Sequence, residues 1–94
     1  MNIDNILSVK IRIRDRFRTV RRAAKMSQMT LAQRSGVSLG SIKRFERTGE
    51  ISLSALIKLS QALGYEGDFD NLFVRKNYQS IFDVVGDGVS KYAK

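Results

Sequence analysis

Between Ser38 and Gly49 the chain reads SLGSIKRFERTG, and three long cations, Lys43, Arg44 and Arg47, fall within five residues. Lysine and arginine at this spacing offer charge-assisted hydrogen bonds to anionic oxygen, and a guanidinium can engage two acceptors at once. Catalytic chemistry has no comparable cluster. The chain has no cysteine and no histidine, which removes thiolate nucleophiles, imidazole acid–base catalysis, disulfides and the usual zinc ligand sets together. Asp68-Phe69-Asp70 has the spacing of a two-carboxylate metal motif, but it lacks a third ligand, and acids at the start of a helix account for it. Gly86-Asp87-Gly88-Val89-Ser90-Lys91 has neither the spacing nor the following helix of a phosphate loop. The sequence therefore predicts no enzyme, no cofactor and no metal site.

The formal charge of +8 over 94 residues favours a polyanionic partner, nucleic acid before an anionic membrane surface. The charge is uneven: residues 1–8 carry −1, residues 9–25 carry +7, residues 26–50 carry +2 and residues 51–94 carry none in net. No apolar run approaches the ~18 residues of a membrane span, and the opening MNIDNILSVK lacks the basic-then-apolar order of a secretion signal. A cytoplasmic protein with one small domain is expected.

Proline is absent, so glycines and Ser/Thr/Asp caps must punctuate the chain. Ile6, Val9, Ile13, Phe17, Val20 and Ala24 recur every three or four residues, the apolar stripe of an amphipathic helix. Over Val9, Ile11 and Ile13 an alternation with Lys10, Arg12 and Arg14 also fits a half-exposed strand. Residues 1–10 are accordingly an N-terminal arm or a helix extension, and helix is expected from Ile11 to Lys25. Further helices are predicted from Ser27 to Gly36, from Ser38 to Gly49, and from Ser52 to Gly64, each opened by a serine cap and closed by glycine. The broad apolar face of the last, with Leu53, Leu56, Ile57, Leu59 and Leu63, predicts extensive burial. Asp68–Phe73 and Ser80–Val85 are candidate short helical turns, and the end from Gly86 is expected to fray. The pattern is all-α.

Residues 28–47 combine two helices with Ala32 at the expected point of closest approach and Gly36 at the corner. Two helices crossing at ~90–120° through a short turn need a small contact residue and a backbone able to take positive φ there. Val37, Ile42 and Phe45 then anchor the second helix on the first. At 100° per residue, Ile42 and Phe45 point inward, while Gly40, Lys43, Arg44 and Arg47 lie opposite, with Leu39 and Ser41 on the flanks. Such a helix suits a phosphate-lined groove.

The motifs IRDRFRTVRRAAKMSQ, LAQRSGVSLGSIKRFERTGE and SLSALIKLSQALG resemble the Xre-type helix-turn-helix domain of lambdoid phage repressors and Cro over residues 13–64. The resemblance implies a compact five-helix globule, dimeric on double-stranded operator DNA. It places the DNA-binding domain over residues 11–74, with residues 75–94 as a C-terminal extension. Two positions depart from the family pattern: Thr30 stands where a capping-box glutamate is common, and Lys25 where a glycine often ends the first helix.

Several roles follow. Lys43 and Arg44 can reach guanine O6 and N7, Leu39 suits a thymine methyl, and Ser41 suits a base edge. Arg47 is placed for phosphate. Ser38 is first an N-cap and second a contact. Leu39 is equally an isolated exposed apolar residue, and Gly40 either permits close backbone approach to DNA or is merely tolerated. By the resemblance, Gln28 braces a phosphate and Arg21 with Glu46 forms a structural ion pair between the first and third helices. The run Arg12, Arg14, Arg16, Arg18, Arg21 and Arg22 is a solvated surface, a set of flanking phosphate contacts or a dock for an acidic protein.

The function expected is a repressor acting as a homodimer on an inverted repeat. Phe69, Phe73, Tyr78, Ile81, Phe82 and Val85 are candidates for the dimer surface or for packing within their own domain. KRFERTGEISLSALIKLSQALG followed by GDFDNLF also resembles the HipB-like proteins encoded beside HipA-like toxin kinases. An antitoxin subunit of a toxin–antitoxin system is thus the alternative.

Overall fold

Four short polar residues open four helices. In the computed structural model, which describes residues 5–75, the side chains of Asn5, Ser27, Ser38 and Ser52 accept the N–H groups of Ser8, Thr30, Ser41 and Ala55. Each cap satisfies a donor that the first helical turn leaves without a partner. The helices are α1 (Ile6–Ala23), α2 (Gln28–Ser35), α3 (Leu39–Thr48) and α4 (Leu53–Leu63), followed by the single turn α5 (Gly67–Asp70). No strand occurs among the described residues. Thr30 compensates for the missing capping-box glutamate in part, because its hydroxyl oxygen accepts a hydrogen bond from Ser27 at 3.0 Å.

The core is Phe17, Leu31, Val37, Ile42, Phe45 and Leu59, with Met26, Ala32, Ile51, Ala55 and Leu56 packed around it. Phe17 of α1 meets Phe45 of α3 with ring centroids 5.0 Å apart and planes tilted by 60°, within the favoured edge-to-face range. α2 packs between α3 and α4, and α1 packs on α3. At the end of α3, Gly49 takes φ +81 and is buried; a Cβ there would lie 3.0 Å from the Cβ of Lys10. Both the left-handed backbone and the passage of α1 over α3 therefore require glycine at this point.

Three expectations change. Helix begins at Ile6, so residues 6–10 continue α1 and the strand alternative is not adopted. The apolar stripe of α1 is only partly its packing face: Phe17 is buried, but Ile6, Val9 and Ile13 are exposed. Lys10, Arg14, Arg18 and Arg21 instead share the side turned to α3 and the turn after it. In α4 only Leu59 is fully buried, and Leu53 is exposed, because α4 applies one face to α2 and the core. Ser80–Val85 and the end from Gly86 lie outside the described residues.

Lys25 occupies the left-handed region at φ +59. The N–H of Lys25 bonds to the carbonyl of Arg22, and that of Met26 to the carbonyl of Arg21, so α1 ends in the doubly bonded turn that favours glycine. A side chain in this conformation costs ~1–2 kcal/mol, and glycine returns ~0.4–1 kcal/mol of that through the freer unfolded chain. Lys25→Gly should therefore stabilise the domain by about 0.5–1 kcal/mol, visible as a melting temperature a few degrees higher. An unchanged or lower melting temperature would contradict the strain.

Candidate nucleic-acid interface

The faces of α3 are sharply divided. Ile42 and Phe45 are 0% and 1% exposed, whereas Gly40, Ser41, Lys43, Arg44 and Arg47 are exposed and Leu39 is half-buried. The Ser38 hydroxyl accepts the N–H of Ser41 at 3.1 Å and donates to the Ser41 hydroxyl at 2.9 Å. Ser38 is thus engaged as a cap, while Ser41 keeps its own proton for donation. A Cβ added at Gly40 would meet nothing within 4 Å, so packing within the domain does not demand glycine there. No described residue accepts a hydrogen bond or ion pair from the side chain of Lys43, Arg44 or Arg47; Arg44 adds only a weak charge interaction with Glu50.

Behind this face sits Glu46, 4% exposed. Arg21 Nε donates to its Oε2 at 2.7 Å and Arg21 Nη2 to its Oε1 at 3.0 Å, a two-point grip across a buried contact. Gln28 Nε2 donates to Oε1 at 3.0 Å, and Arg18 Nε reaches the same oxygen at 3.4 Å. Burial pushes the Glu46 carboxyl up, but the hydrogen bonds from Arg21, Gln28 and Arg18 together with the Arg21 charge outweigh it and hold the group below the usual carboxylate range. Arg21 also donates to the Met26 carbonyl at 2.8 Å, closing the turn between α1 and α2. In this structure Gln28 is engaged with Glu46 instead of extending toward solvent.

Three further cations of α1 fasten the end of α3. Arg18 donates to the Glu46 carbonyl, Arg14 to the Arg47 carbonyl at 3.5 Å, and Lys10 pairs with Glu50. These side chains hold the C-terminal end of α3, where the helix dipole is negative and carbonyls lack intrahelical partners. Lys10 holds the Glu50 carboxyl low through its hydrogen bond and charge. Arg14 also pairs with Asp15 at 2.7 Å. Arg22, by contrast, is exposed, and its side chain has no partner among the described residues. Sequence periodicity did not single out Lys10, Arg14 and Arg18 as fasteners, because their targets are main-chain carbonyls and a carboxylate more than 25 residues away.

The end of α1, the start of α2 and the exposed side of α3 enclose an open groove of about 600 Å³. Arg22, Ser27, Gln28, Lys43 and Arg47 line it, with Glu46 held between Arg18 and Arg21. Of the expected site residues, Gln28, Lys43, Arg47, Arg21 and Glu46 thus meet at one place, whereas Ser38, Leu39, Gly40, Ser41 and Arg44 occupy the remainder of α3 and its cap. No helix among the described residues is long and apolar enough to cross a membrane.

A helix-turn-helix family model matches residues 17–69, more than half of the chain. No curated protein and no solved structure matches it.

Because Glu46 is held low in the folded chain, its contribution to stability is complete above the unfolded carboxylate pKa of ~4.3 and is lost as pH falls through the lower folded value. Replacing Glu46 with alanine strands Arg21, 8% exposed. Such a loss typically costs ~3–5 kcal/mol, and about 3 kcal/mol is expected here because the Met26 carbonyl still accepts from Arg21. Urea denaturation of Glu46→Ala at pH 7 and pH 3 tests both points: the deficit against the parent chain should be large at pH 7 and smaller at pH 3. A deficit independent of pH would contradict the charge assignment.

Proposed function

Since this chain belongs to the helix-turn-helix family of DNA-binding regulators, we propose that it is a sequence-specific repressor in the cytoplasm, binding as a homodimer to an inverted-repeat operator. The observation that carries this reading is the set of exposed cations on α3, Lys43, Arg44 and Arg47, opposite the buried anchors Ile42 and Phe45. A helix held from behind and cationic in front suits the major groove, and dimerisation would set two such helices ~34 Å apart, one turn of duplex. In that arrangement Lys43 and Arg44 read guanines, Leu39 packs on a thymine methyl, Ser41 donates to a base edge, and Arg47 takes phosphate. Ser38 contributes by capping, and Gly40 permits the close approach of α3 to the duplex.

The alternative of an antitoxin subunit with a HipA-like kinase partner needs a docking surface, and Leu72, Phe73 and Val74 form an exposed apolar run, with Phe73 95% exposed. Phe73 also takes φ +64, which projects a bulky residue from a conformation it rarely adopts. This run extends the dimer-surface candidates Phe69 and Phe73 and would serve either a second copy or the kinase. Tyr78, Ile81, Phe82 and Val85 lie outside the described residues. Co-expression with a neighbouring kinase gene, followed by co-purification, separates the readings, since failure of the pair to associate removes the antitoxin reading.

Binding to duplex from the region upstream of the gene, measured across a salt series with competitor DNA, tests the repressor reading. Affinity should fall with salt by a slope of ~0.9 per phosphate neutralised. The double variant Lys43→Ala, Arg44→Ala should remove preference for the operator, each lost guanine contact costing ~1–3 kcal/mol; unchanged discrimination by a folded variant would show that another face reads the bases. Gly40→Ala should do two opposite things, raising stability by up to ~1 kcal/mol through helix propensity while weakening operator binding. A variant that gains stability and binds as before would mean that glycine is only tolerated there.

A further inference from the structure

We propose that the groove between the end of α1 and the exposed side of α3 is a seat for a single phosphate, with Arg22 as its main grip, Arg47 as a second ligand and Lys43 adding positive charge at its rim. This deepens the DNA-binding reading by naming a backbone contact on α1, outside the two helices that define the motif, and it rests on that reading for the source of the phosphate. The groove holds about 600 Å³ and is lined by five cations, Arg18, Arg21, Arg22, Lys43 and Arg47, against the single carboxylate of Glu46.

What makes it an anion site is the division of labour among those cations. Arg18, Arg21 and Gln28 all donate to Glu46, so the one carboxylate on the groove is already compensated and its repulsion of an incoming anion is muted. Arg22, Lys43 and Arg47 have no acceptor among the described residues. Three uncompensated cations from two helices therefore converge on one concavity, and Ser27 at its rim belongs to the start of α2, whose positive end adds to the attraction. Gln28 commits one of its two amide N–H groups to Glu46, whereas the guanidinium of Arg22 on the same groove keeps all its donors for the phosphate. A guanidinium suits this task because two parallel N–H groups match two phosphate oxygens.

The test compares the full chain with Arg22→Ala and Arg22→Lys on the same duplex over a salt series. Arg22→Ala should bind several-fold more weakly with a salt slope reduced by ~0.9 per subunit, and Arg22→Lys should recover the slope. Its thermal stability should match the parent, because the Arg22 side chain fastens nothing in the fold. If Arg22→Ala binds duplex with the affinity and slope of the parent chain, the seat is overturned while DNA binding stands. If the parent chain binds no duplex, the DNA reading fails, and inorganic pyrophosphate titrated at constant ionic strength, followed by amide NMR shifts, decides the seat alone. Shifts around Ser27 that vanish in Arg22→Ala would support a seat for a free phosphate compound, and no shifts would overturn it.

Discussion

One carboxylate, that of Glu46 on α3, collects donors from two other helices, Arg18 and Arg21 on α1 and Gln28 on α2, and so joins three. The buried apolar side chains Phe17, Leu31, Val37, Ile42, Phe45 and Leu59 bring these helices together, and apolar contact by itself is non-directional. A two-point guanidinium grip on a carboxylate is directional. Together with Ile42 and Phe45 it fixes which side of α3 is turned inward, and so which side is left to face a partner. The cost of burying the charge is offset only while all its donors are in place, which makes the orientation of α3 and the integrity of this cluster one property.

A chain of net charge +8 works against its own compactness, and the fold answers this through placement. The cations of α1 that face α3 end on acceptors: Lys10 on Glu50, Arg14 on the Arg47 carbonyl, Arg18 on the Glu46 carbonyl. They sit at the negative end of α3, so the most basic helix is attracted to the helix that carries the exposed cations instead of being repelled by it. Part of the charge left over gathers beside the exposed face of α3: Lys43, Arg44 and Arg47 on α3 itself and Arg22 at the end of α1. Cations behind α3 hold it and cations in front of it are available, although both sets are drawn from the same two residue types.

That division explains what could be read from the sequence. The bounds of α2, α3 and α4 were legible to the residue because each is written by a serine cap and a terminal glycine a few positions apart. Ile42 and Phe45 as anchors, and the outward cations opposite them, followed from helical geometry alone. The packing face of α1 was legible only at Phe17 and Arg21, since periodicity counts apolar residues and Lys10, Arg14 and Arg18 also turn to α3 and the turn after it. Its apolar residues Ile6 and Ile13 were misleading for the same reason, being exposed. The engagement of Gln28 with Glu46 joins residues 18 apart, and no local rule reaches across that distance.

The corner between α1 and α2 shows how the cluster reaches beyond α3. Lys25 holds a left-handed backbone that glycine would adopt more easily, and Thr30 provides only part of a capping box at the start of α2. Both departures weaken the same turn. Arg21 spans it, donating to the Met26 carbonyl with one terminal nitrogen while the other and Nε hold Glu46. Only a planar group with donors in a fixed fork can serve two helices and a turn in this way, and a lysine ammonium lacks that geometry. The strained corner is therefore fastened by the residue that also orients α3, and the imperfect helix ends are tolerable because a buried guanidinium supplies from the side what the local sequence omits.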